Sequence, residues 1–424
     1  MFTISFIFYI FGIFLTYVSV RNFLSFKILF LIWTFPAAVS AYSEVFYIMS
    51  LAAFFFGMGA FAYNTASFAS TKKLLINYRN QKFEMSYRPG QAFISIIFFL
   101  SVIFIGASIF YFYSVGISLF GDEVGFDRLV NRHAVSGSYI YQRIFRVFLP
   151  IICLVYFCMG YSESYKKYYK KLIFILLVLI SFLFLVFTGM RGNTLIFMFF
   201  PFLVLFGYLP SGTSSFLLIL RITFVTFISG MIVTKAMYPE LPLSELLLLI
   251  FARVTTGATD GISYMVTIDV PINGFYFGET YFNDFMSLFS KLGLTSNEYM
   301  TYGSYLAQSM LGDRYNNEQA SIFFSGELFA NFGYPGVIVG SFIVGALLQA
   351  IYLKTLKTRK DVVLTPILSY FSALFLAILG GPTISMLLDY FITIFSFIIL
   401  LFPFMLFTSI KYKRFIFLNM NIRF

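Results

Sequence analysis

Apolar runs of about 20 residues recur along this chain, long enough for a helix to cross the ~30 Å hydrocarbon layer of a bilayer. Run length predicts about eleven spans, at 2–20, 24–42, 44–66, 91–115, 146–163, 172–188, 193–209, 214–234, 334–352, 363–380 and 386–408. Polar sequence interrupts them at 116–145 and, at greater length, at 235–333. The chain thus divides into 1–234 with eight spans, an interruption at 235–333 with short helices of its own, and 334–424 with three spans and a basic tail. The interruption returns to apolar sequence between Glu318 and Gly336. Within it, 241–251 is almost wholly apolar but too short to cross. It reads either as an interfacial or re-entrant helix ending near Arg253, or as a helix packed in the interruption's own core. The first run, Phe2–Val20, has no basic residues before it and no small-residue cleavage site after it, so it reads as a retained helix.

Composition agrees. Hydrophobic residues make up 60% and charged residues 11%, with a mean hydropathy of +0.88. No soluble domain covers its core with so little polar surface. The expected class is an all-α integral membrane protein with a large loop on one side.

The net charge of +11 does not point to nucleic acid, because its distribution follows the span map. Lys72, Lys73 and Lys82 follow span three, Lys166, Lys167, Lys170 and Lys171 follow span five, and Lys354, Lys357 and Lys360 follow span nine. Lys411 and Lys413 close the chain on the same side. That side is expected to be cytoplasmic, with the N-terminus and the 235–333 loop outside and the C-terminus inside. The outside then carries seven arginines and only two lysines, against thirteen lysines and six arginines inside. Arginine is a rigid, always-charged fork that matches phosphate and carboxylate. These arginines either hold an anionic ligand or pair with the outside carboxylates.

Arg191 lies between two short apolar runs with glycine at 189 and 192, where a backbone turns tightly and a ligand approaches closely. The choice there is between a functional charge at membrane depth and an interfacial arginine reaching for headgroups. Arg128, Arg132 and His133 lie on the first outside loop. His133, the only histidine, is either a general base or plain surface, and with no second histidine a zinc site is not expected. In the long interruption Asp260, Asp313, Arg314, Glu318 and Glu327 flank apolar sequence. A buried carboxylate among them is a candidate base, the alternative being helix capping. Glu318 and Glu327 are nine apart, on opposite faces of a helix. Gly336, Gly340 and Gly345 form a small-residue pattern for close helix packing. Cys153 and Cys158 do not share a helix face and read as small buried hydrophobes. No P-loop, dinucleotide fingerprint or metal motif is present in the sequence.

Phe- and Tyr-rich spans, the turn Gly189-Met-Arg191-Gly192, the large late loop and the Glu318…Glu327-Leu-Phe-Ala-Asn-Phe-Gly333-Tyr-Pro-Gly336 stretch together resemble the Wzy-type O-antigen or polysaccharide repeat-unit polymerases. The similarity in topology covers nearly the whole chain, while the motifs are short. It implies a lipid-dependent, GT-C-like glycosyltransferase fold in the bacterial inner membrane. It also implies an enzyme that joins undecaprenyl-pyrophosphate-linked oligosaccharide units at the periplasmic face, without metal or other cofactor. The implied partners are that lipid-linked oligosaccharide as donor and acceptor, membrane lipids, and a chain-length-regulating membrane protein. Pyrophosphate leaves in such a reaction, and arginine forks stabilise the charge that develops. The residues expected at the pyrophosphate are Arg191, Arg253 and Arg314, with Arg128 and Arg132. The candidate bases are Glu327, Glu318 and Asp260, with His133 behind them. The outside aromatics Tyr276, Phe277, Tyr281, Phe282, Tyr299 and Tyr302 either stack on sugars or form the loop's core.

Two other functions share parts of this pattern. An O-antigen ligase shares topology and donor but is expected to rely on a histidine in the large loop, where none lies. A flippase for the lipid-linked unit is expected to have internal repeats and short loops.

Overall fold

A computed structural model describes residues 1–83, 91–117, 138–162, 169–188, 195–209, 238–255, 260–291, 299–312 and 320–380 apart from single positions within them, together with parts of 221–236 and 391–396. Among the described residues every regular element is a helix, and five helices are long and apolar enough to cross a membrane. The chain is an all-helical membrane protein.

Helices α1 (Phe2–Val20), α2 (Phe26–Ser40), α3 (Ser43–Ala66) and α5 (Gln91–Val115) occupy predicted spans one to four, with the short basic helix α4 (Thr71–Asn80) between the last two. Helix α6 joins Ser138–Arg143, the π-helical turn Ile144–Phe148 and Leu149–Met159. It starts eight residues before the expected span five, so Arg143 and Arg146 are helical and not loop residues. Helix α7 is Lys171–Phe187, and α8 joins the π turn Leu195–Phe199 to Phe200–Phe206. In the interruption lie α9 (Leu243–Thr255), α10 (Asp260–Tyr264, the π turn Met265–Asp269 and Val270–Asn273), α11 (Glu279–Lys291) and α12 (Tyr302–Leu311). Helices α13 (Phe323–Lys357) and α14 (Leu364–Gly380) contain spans nine and ten. Spans eight and eleven fall largely outside the described residues.

All three π turns have one cause. Each ends two residues before a proline: Pro150, Pro201 and Pro271. Proline lacks the N–H for the usual bond and its ring presses on the carbonyl four residues back. The chain widens by one residue per turn at that point, and Leu149 and Val270 donate to carbonyls five residues back, on Ile144 and Met265.

The expected re-entry is made by α13. It is two helices, because Gly333 has φ +62° and ψ −155° in its middle, a conformation open essentially to glycine. Beyond it, 334–357 runs parallel to α3. Tyr334 meets Tyr47 at one end, with ring centroids 5.8 Å apart, and Gln349 Nε2 donates to Asn64 Oδ1 at the other, at 3.5 Å. Gly345 lies under the carbonyl of Phe56, so a Cβ there would strike backbone. Residues 323–332 fold back along the same helix: the Leu328 side chain covers Gly340 and its carbonyl oxygen lies 2.7 Å from where a Cβ at Gly336 would sit. The tip of this half-helix is buried among aromatic rings, Phe324 lying 5.9 Å from Phe30 of α2 and 6.3 Å from Phe56 of α3.

At the other end of the bundle the lysines gather. Lys27, buried at the start of α2, donates to Gln349 Oε1 and lies 5.1 Å from the centre of the Tyr352 ring. Arg79 donates to the Gly207 carbonyl at 2.9 Å, and Lys360 donates to the Arg79 carbonyl at 3.2 Å. Lys360 also lies 4.7 Å from the Phe83 ring, which is 6.3 Å from Tyr161 at the end of α6. The segments that follow spans three and nine therefore meet the end of α6, in span five, at one end of the bundle. Cys153 and Cys158 are free and buried, as expected of small hydrophobes.

Candidate functional site

The re-entrant half-helix carries Glu327, which is fully buried. Six residues of helix place it about 9 Å below the Gly333 turn. A carboxylate at that depth is expensive unless it has partners or a task. The helix that carries Glu327 begins at Phe323, and Glu318, expected on the opposite face of a helix, lies outside the described residues.

The turn is locked from outside. After α10 the chain crosses it, and Tyr276 and Phe277 donate their N–H groups to the carbonyls of Ala330 and Asn331, each at 3.0 Å. These are two of the acceptors that a broken helix leaves open. Asn331 finishes the joint: its Oδ1 accepts from the Gly278 N–H at 2.8 Å, and its Nδ2 donates to Thr280 Oγ1 at 2.6 Å and to the Glu327 carbonyl at 2.8 Å. The Phe275 ring lies against Gly333, 3.1 Å from where a Cβ would be. Further down, Ile262 of α10 packs on Gly326, next to Glu327.

A second buried carboxylate braces this layer. Asp269, 2% exposed, ends the π turn of α10. It accepts from the hydroxyls of Tyr302 at 2.6 Å, Tyr276 at 3.0 Å and Tyr305 at 3.3 Å, and from Asn273 Nδ2 at 2.9 Å. Burial, then the hydrogen bond to Asp269, then its charge push the Tyr302 hydroxyl well above the usual tyrosine range. Tyr276 rises for the same reasons, burial first. These tyrosines stay neutral donors at any ordinary pH. Asp284, also buried, accepts from the Tyr302 N–H at 3.1 Å. Tyr281 lies within electrostatic reach of both Asp284 and Glu327: burial raises its hydroxyl most, and the two carboxylate charges raise it further.

Of the expected site residues, the structure places Glu327 in this centre and Asp260 at the exposed start of α10, two residues before Ile262. Arg253 lies on α9, with its side chain outside the described residues. Arg128, Arg132, His133, Arg191, Asp313, Arg314 and Glu318 lie outside the described residues. The aromatics expected either to stack on sugars or to form the loop's core differ in burial. Tyr276 and Tyr302 are tied to Asp269 and belong to the packed layer, whereas Phe277 and Phe282 are exposed. Asp269, Asp284 and Asn331 were not singled out by sequence.

Helix α9 matches the short apolar stretch at 241–251. It packs on α2 with Leu246 buried and Leu243 and Leu248 exposed, the one-sided pattern of a helix that lies along an apolar surface.

Compared with protein-family models, curated proteins and solved structures, the chain has no match.

Proposed function

We propose that this protein is a glycosyltransferase that polymerises undecaprenyl-pyrophosphate-linked oligosaccharide repeat units into O-antigen or a related surface polysaccharide. It works at the periplasmic face of the bacterial inner membrane, on a GT-C-like arrangement of about eleven spans. The observation that carries the reading is Glu327: a buried carboxylate on a half-helix that re-enters the bundle, in the stretch on which the family resemblance rests.

In this reaction Glu327 takes the proton from a hydroxyl on the non-reducing end of the acceptor unit. That oxygen bonds to the anomeric carbon of the donor glycan. The anomeric C–O bond to pyrophosphate breaks, and undecaprenyl pyrophosphate leaves with the electron pair. Arg191, Arg253 and Arg314, with Arg128 and Arg132, hold its charge, since forked donors aimed at developing negative charge lower such barriers. Glu318, Asp260 and His133 stand behind Glu327 as bases. A membrane protein that sets chain length is the expected partner.

The test is a gel ladder of surface glycan from cells lacking the gene. A single core-plus-one-unit band in place of the ladder supports a polymerase. Loss of all substituted core overturns it in favour of a ligase or a flippase, and accumulation of lipid-linked units inside the cell identifies the flippase.

A further inference from the structure

Phe277 differs from the aromatic residues around it. The residue is 79% exposed, so it contributes little to the core. Its backbone has φ +48°, a left-handed conformation that a bulky residue holds only when its surroundings impose it. The neighbouring left-handed positions, Gly274 at φ +78° and Gly278 at φ +99°, are glycines, for which that conformation is unstrained. A glycine at 277 would relieve the backbone with almost no loss of packing. The ring is therefore present for something other than the fold.

Its position is set by the half-helix. The Phe277 N–H and the Gly278 N–H both donate to Asn331, to its carbonyl at 3.0 Å and to its side chain at 2.8 Å. Asn331 in turn donates to the Glu327 carbonyl at 2.8 Å. One residue, a helical turn beyond Glu327, fixes the peptide groups on both sides of the strained position. Strain held by surroundings that over-determine it gathers where ligands are bound. Phe282 and Phe332 are also partly exposed nearby, and Phe332 is 3.8 Å from where a Cβ at Gly278 would sit.

We propose that Phe277 is the sugar-binding platform of the Glu327 site. A pyranose ring of the lipid-linked oligosaccharide lies across its face, with sugar C–H groups on the electron-rich ring and the hydroxyls left to polar groups and water. This rests on the polymerase reading.

The test compares Phe277→Gly, Phe277→Ala and Phe277→Trp in cells lacking the chromosomal gene, with the empty deletion strain alongside. Phe277→Gly relaxes the backbone, so membrane abundance and melting temperature should hold or rise. Polymerisation should fall roughly tenfold, the size of one aromatic contact, while Phe277→Trp keeps it. A Phe277→Gly protein that polymerises normally overturns the proposal and leaves the polymerase reading standing. A deletion strain that does not collapse to one repeat unit overturns the polymerase reading itself, and the platform with it. The second measurement places Phe277→Trp in a Trp33→Phe background, which removes the sequence's one natural tryptophan. The protein sits in nanodiscs with oligosaccharide released from the same cells, or with brominated phosphatidylcholine. An emission shift on adding oligosaccharide, without quenching by bromine, is expected. Quenching by the brominated lipid makes the ring a membrane anchor and overturns the proposal, as does an emission spectrum that oligosaccharide leaves unmoved.

Discussion

The side chain of Leu328 covers Gly340, twelve residues further along the chain. A straight helix would hold the two about 18 Å apart. Their contact means that the chain reverses between them, and the reversal is at Gly333. It sinks Glu327 into the bundle and lays the Ala330 and Asn331 carbonyls open to the outside layer. Gly340 and Gly333 are thus one device: the first leaves room for the returning half-helix, and the second makes the turn.

A side chain at Gly340 should push the half-helix off. Gly340→Val is expected to cost about 1–3 kcal/mol, the range for overpacking a filled site, seen as a lower melting temperature in detergent. Leu328→Ala in the same protein should return part of that loss. The double-mutant cycle is the check: a coupling near zero would mean that the two residues do not touch.

The sequence displayed the bundle because apolar run length is a direct record of membrane thickness. The helices fall within a few residues of expectation at α1, α5, α7 and α14. The return to apolar sequence between Glu318 and Gly336 was legible, but the half-helix folded back before Gly333 was not. A half-helix that folds back needs no run of 20 apolar residues, so length gives no signal for it. The start of α6 was missed because Tyr141, Gln142 and Arg143 look like loop, and tertiary packing of α6 on α5 carries the helix past them. Asp269 was passed over because nothing local marks a carboxylate as buried. Its partners Tyr302 and Tyr305 lie more than thirty residues away, and only the fold unites them.

Asp269→Asn should loosen the outside layer. Asparagine keeps the shape but gives three tyrosine hydroxyls a weaker, uncharged acceptor. The loss of charge-assisted hydrogen bonds in a buried network is expected to lower stability by about 1–3 kcal/mol. The pH dependence has a defined sign. Tyr302 and Tyr276 have hydroxyls raised above the ordinary 10.0 in the folded protein, so their contribution is complete below pH 10 and is lost as the pH climbs beyond it. The protection factors of amides in α10 to α12, which remove the base-catalysed intrinsic exchange rate, should therefore be level from neutral pH to about 10 and fall above, with a weaker fall in Asp269→Asn. An identical profile in the variant would exclude Asp269 as the brace.

Lys360 should titrate early. It lies outside the spans, between α13 and α14, and burial pulls its ammonium down to about 8 from 10.5, opposed by Cys158 and assisted by the Arg79 charge. A folded-state value below the unfolded one means that the unfolded chain binds the extra proton, so stability rises with pH between those two values. Lys360→Met keeps the stem over Phe83 and removes the charge. Its melting temperature is expected to match or exceed that of the natural protein at pH 7 and to lack the rise between pH 8 and 10. A natural protein whose stability is level across that interval would mean that Lys360 is solvated as an ordinary surface lysine.

Glu327→Gln tests the chemistry with the least disturbance of the fold. Glutamine preserves the volume in a site with no exposure, and the Asn331 bond to the carbonyl at 327 is a backbone contact that the substitution leaves intact. Removing a general base typically lowers a rate about 10²–10⁴-fold, so long surface chains should disappear while the protein remains in the membrane at its normal abundance. Glu279→Gln is the matched control, an exposed carboxylate in the first turn of α11, and it should leave the ladder unchanged. The same ladder is run for both variants beside an immunoblot of the membrane fraction. If Glu327→Gln makes full-length chains, the base lies elsewhere, and Asp260, Glu318 and His133 become the next three substitutions. If the variant is absent from the membrane, the carboxylate is structural, and Glu327→Asp separates the cases: a structural role is rescued by any charge nearby, whereas a base displaced by one methylene still loses rate.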